Sequence, residues 1–187
     1  SYVLIHDQDL YDKINHSYSY GYKMPGDEHH QNGIDMTLRT IREFLGGVPL
    51  HYYISVDMDG VRDMVDAVGG IYYDVDVEVR SDYGRGRLLV EEGYQLLDGK
   101  SFMRYVRYRG DGGDIHRSQR QQQILLEAAK QVVKGARFST IPALYQAFED
   151  NVETNLEKAQ LAALGTFGLR FDPEQTESHV FVGSSAY

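Results

Sequence analysis

The sequence predicts an α/β fold, and three features predict it. Apolar residues recur at helical spacing in several segments, as at Met36, Leu38, Ile41, Phe44 and Leu45. They alternate at strand spacing elsewhere, over Ile71, Tyr73, Val75, Val77 and Val79. The two patterns follow one another along the chain, punctuated by Gly-Gly pairs and other turn residues, which is the order of a layered α/β architecture.

Taken in order, "SYVLI" reads as a strand followed by a polar stretch to Tyr22. Residues 21–34 carry Gly, Pro, Asp and Asn and read as a surface loop. "DMTLRTIREFLGG" is a helix stopped by Gly46-Gly47, and "HYYISV" a strand. "MDGVRDMVDAVGG" is a second helix, with Val61, Met64, Val65 and Val68 on one face. The alternating strand from Ile71 comes next, and then a hairpin-like excursion over residues 80–99. "KSFMRYVRYR" begins as a helical turn and ends as a strand. A long helix runs from about Asp114 to Lys134, two more cover 141–152 and 155–170, and "ESHVFVGSSAY" closes as a strand.

A chain of 187 residues with 42% hydrophobic and 25% charged residues is most simply one domain with a sizeable core, here spanning 1–187. Its formal net charge of −9 argues against a nucleic-acid partner, which needs a broad basic face. With no cysteine, disulfides and thiolate metal sites are excluded. No apolar run reaches the roughly 20 residues that cross a bilayer. The abrupt start at "SYVLI" reads as a cut inside a longer polypeptide, so the missing targeting signal does not imply a cytosolic address.

Against this acidic background "YVRYRGDGGDIHRSQRQQQ" gathers four arginines. Read as a strand, Tyr105, Arg107 and Arg109 share one face, and Val106 and Tyr108 the other. Asp114 reads as the cap of the following helix, on which Asp114, Arg117 and Gln121 lie on one face at i, i+3 and i+7. That face continues as Leu125, Ala128 and Val132, so the helix directs its charged first turns toward the same side as its apolar stripe. Burying arginine without a partner is costly. The arrangement therefore points to a cleft in which an anion, with Asp114 or Asp111, neutralises the guanidinium groups. Arginine forks match phosphate oxygens in pairs, and a diphosphate suits three of them.

These residues also carry a resemblance. "YVRYR", the spaced Asp and Arg after it, and "RQQQ" resemble the signature of the LytR–CpsA–Psr family of bacterial cell-envelope proteins. "YDKINHSYSYG", "VPLHYYISVDMDGVRDMVDAVGGIYYDV", "EEGYQLLDGKSFMRYVRYR" and "FEDNVETNL" are similar to further family segments, in the family's order. The resemblance implies a three-layer α/β/α sandwich around a central mixed sheet. It implies an incomplete catalytic domain that lacks the family's N-terminal strands and its membrane helix, both expected before Ser1. It implies an extracytoplasmic, membrane-anchored phosphotransferase. Such an enzyme moves a phosphate-linked glycopolymer, of teichoic acid or capsular type, from a polyprenyl diphosphate carrier to peptidoglycan with Mg²⁺. A pyrophosphatase acting on the carrier and a non-catalytic polymer-binding module are the rival readings. The family's diphosphate positions fall on Lys13, Arg107, Arg109, Arg117 and Gln121, with Arg120 at the edge of the helix face. Asp114 either orients Arg117 or takes part in proton transfer. The resemblance implies that the family's metal ligands and another arginine would fall upstream of Ser1. His29 and His30 read as solvated loop residues rather than metal ligands.

Overall fold

The computed structural model describes residues 2–81, 86–110, 113–135, 141–170, 172 and 175. Among them are seven helices and eight strands, so the α/β class is borne out. The described residues divide into two compact units, 2–53 and 54 onward.

In the first unit β1 (Tyr2–Ile5) pairs antiparallel with β2 (Leu10–Lys13), Tyr2 lying opposite Lys13. Val3 and Ile5 alternate inward and pack on Met36. Two helices follow, α1 (His16–Tyr22) and α2 (His29–Phe44). The stretch read only as polar thus holds a strand and a helix, and the loop expected over 21–34 is helical from His29 onward. The cause lies in two glycines. A Cβ on Gly21 would stand 2.1 Å from the carbonyl oxygen of Asn32, and one on Gly33 would stand 2.7 Å from the ring of Tyr18. Both serve the close approach of two helices, whereas the sequence suggests turns. Ser17, buried at this contact, donates to the carbonyl of Ile14 at 2.6 Å, and its Oγ lies 3.1 Å from Thr37 Oγ1. α2 stops as expected, with Gly46 and Gly47 at φ of 73° and 92°.

The second unit opens with β3 (Ile54–Val56) and α3 (Met58–Ala67), whose cap Asp57 accepts from the Gly60 N–H at 2.7 Å. β4 (Ile71–Val75), β5 (Val79–Arg80), β6 (Leu88–Val90) and β7 (Gly93–Leu97) come next. Then come α4 (Gly99–Arg107), α5 (Gly113–Gly135), α6 (Ile141–Asn151), β8 (Val152–Thr154) and α7 (Lys158–Arg170). These strands join pairwise and antiparallel, β3 with β8, β4 with β7, and β5 with β6. The strand expected at 177–187 lies outside the described residues.

The core of this unit forms where α3, α4 and α5 cover β4 and β7. Ile71, Val75, Leu97, Phe102, Tyr105 and Ile124 are its most deeply buried side chains. Two polar contacts fix the layers. Asp66 accepts from the N–H of Gly99 at 2.7 Å, which ties the end of α3 to the start of α4. Gln131 in α5 accepts from the N–H of Tyr72 at 2.9 Å and donates to the carbonyl of the same residue, so its side chain does for β4 what a neighbouring strand would do.

Candidate functional site

The arginine segment folds differently from its sequence reading, yet its side chains still converge. Residues 105–109 are no strand: α4 continues to Arg107, and Arg109 follows in the connection to α5. Asp98 caps α4 by accepting from the N–H of Ser101 at 2.7 Å. Phe102, Tyr105 and Val106, at i, i+3 and i+4, then form its buried face. This helical stripe overrides the period-two alternation from Tyr105 to Arg109, because only it buries both Tyr105 and Val106. The positive end charge of Arg107 sits at the helix C-terminus, where a cation is favoured. Gly110 turns the chain at φ 53°.

A cleft of about 560 Å³ opens at this corner, lined by Arg107, Arg109, Arg117, Gln121, Tyr108 and Arg80 among others. Three of the expected guanidinium groups and the expected glutamine therefore share one hollow. Arg80 is a fourth arginine that the sequence reading missed. It enters from β5, and Glu78 holds it at 2.7 Å. The only signal for it was a basic residue beside the turn-rich 80–99 segment, remote in sequence from the cluster.

Gln121 reaches back from α5 and donates to the carbonyl of Val106 at 2.8 Å. Arg120, one residue earlier, turns away from the cleft and is buried. Its Nη1 donates to the carbonyl of Tyr108 at 2.9 Å and its Nε to Asp76 at 3.3 Å. Its guanidinium also stands 5.2 Å from the centre of the Tyr105 ring. Arg120 thus braces the chain that leads from Arg107 to Arg109. Asp76 also accepts from the Tyr105 hydroxyl at 2.7 Å. Burial, and then this bond, push the hydroxyl of Tyr105 well above its ordinary range.

Asp114 is the second residue of α5 rather than its cap, and Asp111 lies outside the described residues. Lys13 stands exposed on β2 in the first unit, where its N–H donates to Asp12 at 2.7 Å. His29 and His30 contact the carbonyl of Tyr22 and the hydroxyl of Tyr18.

The cleft gathers positive charge, and among the described residues lining it none is a carboxylate or an imidazole. Among the described residues no group of three or more His, Asp or Glu is placed to hold a metal ion. The described lining thus fits a multiply charged oxyanion and does not fit a divalent cation.

Comparison with known proteins gives a consistent result. A model of the LytR_cpsA_psr family matches residues 1–187. A curated relative from Bacillus cereus, the polyisoprenyl-teichoic acid–peptidoglycan teichoic acid transferase TagU, is 37% identical over 156 residues, covering 80% of this chain and 45% of the relative. TagV of Bacillus subtilis, a transferase of the same description, is 31% identical over 180 residues, covering 94% of this chain and 43% of the relative. The chain therefore spans a little under half the length of these relatives. Among solved structures, B. subtilis TagV matches 97% of this chain and 69% of its own with a TM-score of 0.70 at 27% identity. TagT bound to LI-WTA matches 90% of this chain and 59% of its own with a TM-score of 0.63 at 25% identity.

Proposed function

The chain belongs to the LytR–CpsA–Psr family, and from that premise we propose that its arginine cleft binds the diphosphate of a lipid-carried glycopolymer and serves its transfer to peptidoglycan. The observation that carries this reading is the convergence of Arg80, Arg107, Arg109 and Arg117 on one hollow whose described lining holds no carboxylate. The names of the curated relatives support teichoic acid as the donor polymer and peptidoglycan as the acceptor.

The chemistry follows from charge. A hydroxyl of the acceptor glycan attacks the phosphorus that bears the polymer. The bond from that phosphorus to the bridging oxygen breaks, polyprenyl phosphate leaves with the electron pair, and the acceptor's proton passes to a base. Negative charge builds on the bridging and non-bridging oxygens as this happens. Fixed guanidinium groups aimed at those oxygens stabilise the transition state more than the ground state. Arg107, Arg109 and Arg117 take this role, with Arg80 at the edge. Gln121 holds the two helices in register through Val106. Asp114, three residues before Arg117 on α5, is the candidate for orienting Arg117 or accepting the proton. Lys13 joins the proposal on the family resemblance alone.

Mg²⁺ assistance, a polyprenyl carrier and a membrane-anchored position outside the cytoplasm belong to the same proposal. The described residues do not themselves fit the metal, and no step above depends on it. No helix among the described residues is long and apolar enough to cross a membrane.

The test offers the protein a synthetic polyprenyl diphosphate carrying a teichoic acid linkage unit, together with peptidoglycan fragments. Covalent attachment of the unit, with release of polyprenyl phosphate, supports transfer. Attachment should fall to background in Arg107→Ala and Arg117→Ala. Release of phosphorylated sugar to water without attachment would make the site a hydrolase, and tight binding without turnover would make it a carrier-binding module.

A further inference from the structure

A second basic feature lies in the first unit. Arg39 and Arg42, one turn apart on α2, are exposed and project from the same side of the helix. Among the described residues neither has a hydrogen-bond or ion-pair partner. Two clefts open beside them. One of about 220 Å³ is lined by Asp35, Leu38, Arg39, Arg42 and Leu50. The other, of about 570 Å³, is lined by His6, Arg39, Arg42, Glu43 and Gly47. The two arginines belong to both.

The carboxylates at this place are already engaged. Asp35 accepts from Gln31 Nε2 at 2.8 Å, and Glu43 accepts from His6 Nδ1. His6 also meets Asp7 at 3.0 Å. Local acids therefore do not take up the two guanidinium groups, although the chain carries a formal charge of −9 and has acids to spare. Two hollows meeting at one arginine pair suit an extended ligand, which enters by one and leaves by the other with charges crossing between them. A single small anion would need one hollow only.

We infer that Arg39 and Arg42 form a rail for the phosphodiester backbone of the glycopolymer, separate from the cleft that takes its diphosphate. The inference rests on the proposed function for the nature of the polymer. Guanidinium groups match phosphate oxygens as forks, so arginine should outperform lysine at both positions. Contacts of this kind are salt-sensitive and tolerate variation in the sugar, which suits a repeating chain.

The test measures binding of a short glycerol phosphate oligomer, which carries no diphosphate, to the whole chain in the presence of saturating pyrophosphate. The expected result is salt-dependent binding that weakens roughly tenfold or more in Arg39→Ala/Arg42→Ala. Arg39→Lys/Arg42→Lys should fall between the two. Both side chains are exposed, so melting temperature should stay unchanged and certify the fold. Equal binding by wild type and the alanine double variant would overturn the inference. It would also fall if the double variant lost binding to a phosphate-free muropeptide or to phosphatidylglycerol vesicles while keeping the oligomer. Pyrophosphate binding, measured separately and sensitive to Arg107→Ala, reports on the other cleft, so failure of the proposed function and failure of the rail give different patterns.

Discussion

The side-chain amide of Gln121 donates to the main-chain carbonyl of Val106 at 2.8 Å, and this bond joins the helix that carries Arg117 to the last turn of the helix that carries Arg107. The Val106 carbonyl is one of the terminal acceptors that α4 cannot satisfy internally. Gln121→Ala should cost about 1 kcal/mol of stability, read as a melting shift of roughly 2–4 °C. Gln121→Glu places a carboxylate against that carbonyl and inside the arginine cleft. It should lower pyrophosphate affinity more than the alanine variant does, by titration calorimetry on both.

Arg107 and Arg120 should separate binding from stability. Arg107 is exposed at the cleft, so Arg107→Ala should change stability by no more than about 0.5 kcal/mol while pyrophosphate binding weakens roughly tenfold or more. Arg120 is buried against Tyr105, Tyr108 and Asp76. Arg120→Ala should destabilise by about 2 kcal/mol. The cost stays low for a broken buried pair because the Asp76 side chain is 61% exposed and keeps both solvent and its bond from Tyr105. Denaturant midpoints and pyrophosphate titrations of both variants check the contrast.

How much of this was legible depends on which residues carry the signal. Arg107, Arg109, Arg117 and Gln121 stood out because cations cluster there in an acidic chain, and clustering survives a wrong backbone assignment. The backbone was misread because Tyr105 to Arg109 alternates polar and apolar residues over too short a window to distinguish a period of 2 from one of 3.6. Helical position sets Arg120 at the edge of the face that holds Arg117, but does not show what Arg120 touches. What separates them is Asp76, 44 residues away from Arg120, a contact only the fold supplies. Arg80 was invisible for the same reason, since it reaches the cleft from β5. Gly21 and Gly33 were legible as glycines but not as contacts, because turn statistics and close packing select the same residue.

Asp12 should show an acid-dependent contribution to stability. His16 Nδ1 at 2.9 Å, then the N–H of Lys13, then the hydroxyl of Tyr20 hold its carboxyl at about 2, below the ordinary 3.8. A depressed carboxylate stabilises the fold fully above its unfolded value. The contribution is lost as pH falls from about 3.8 through about 2. His16→Ala should raise the Asp12 value toward 3.8, read by carboxyl chemical shifts during an acid titration. An unmoved Asp12 titration in that variant would show that His16 does not hold it.

Helical glycines should respond to alanine with opposite signs according to what a Cβ meets. In an open helix, Gly→Ala gains up to about 1 kcal/mol from propensity. Among the described residues nothing lies within 4 Å of a Cβ added at Gly165 in α7, so Gly165→Ala should stabilise by roughly 0.5–1 kcal/mol. At Gly21 the added carbon would stand 2.1 Å from a main-chain oxygen of α2, and at Gly99 2.2 Å from the main-chain oxygen of Arg62. Backbone cannot swing aside as a side chain can, so α1 and α2, or α3 and α4, would have to separate. Both variants should lose about 2–3 kcal/mol or more, overriding the propensity gain. Gly33→Ala meets a tyrosine ring at 2.7 Å and should fall between these cases, since Tyr18 can rotate away at the expense of its bond to His30. Urea unfolding of the four variants gives the order directly, and equal stability of Gly21→Ala and Gly165→Ala would refute the close approach of α1 and α2.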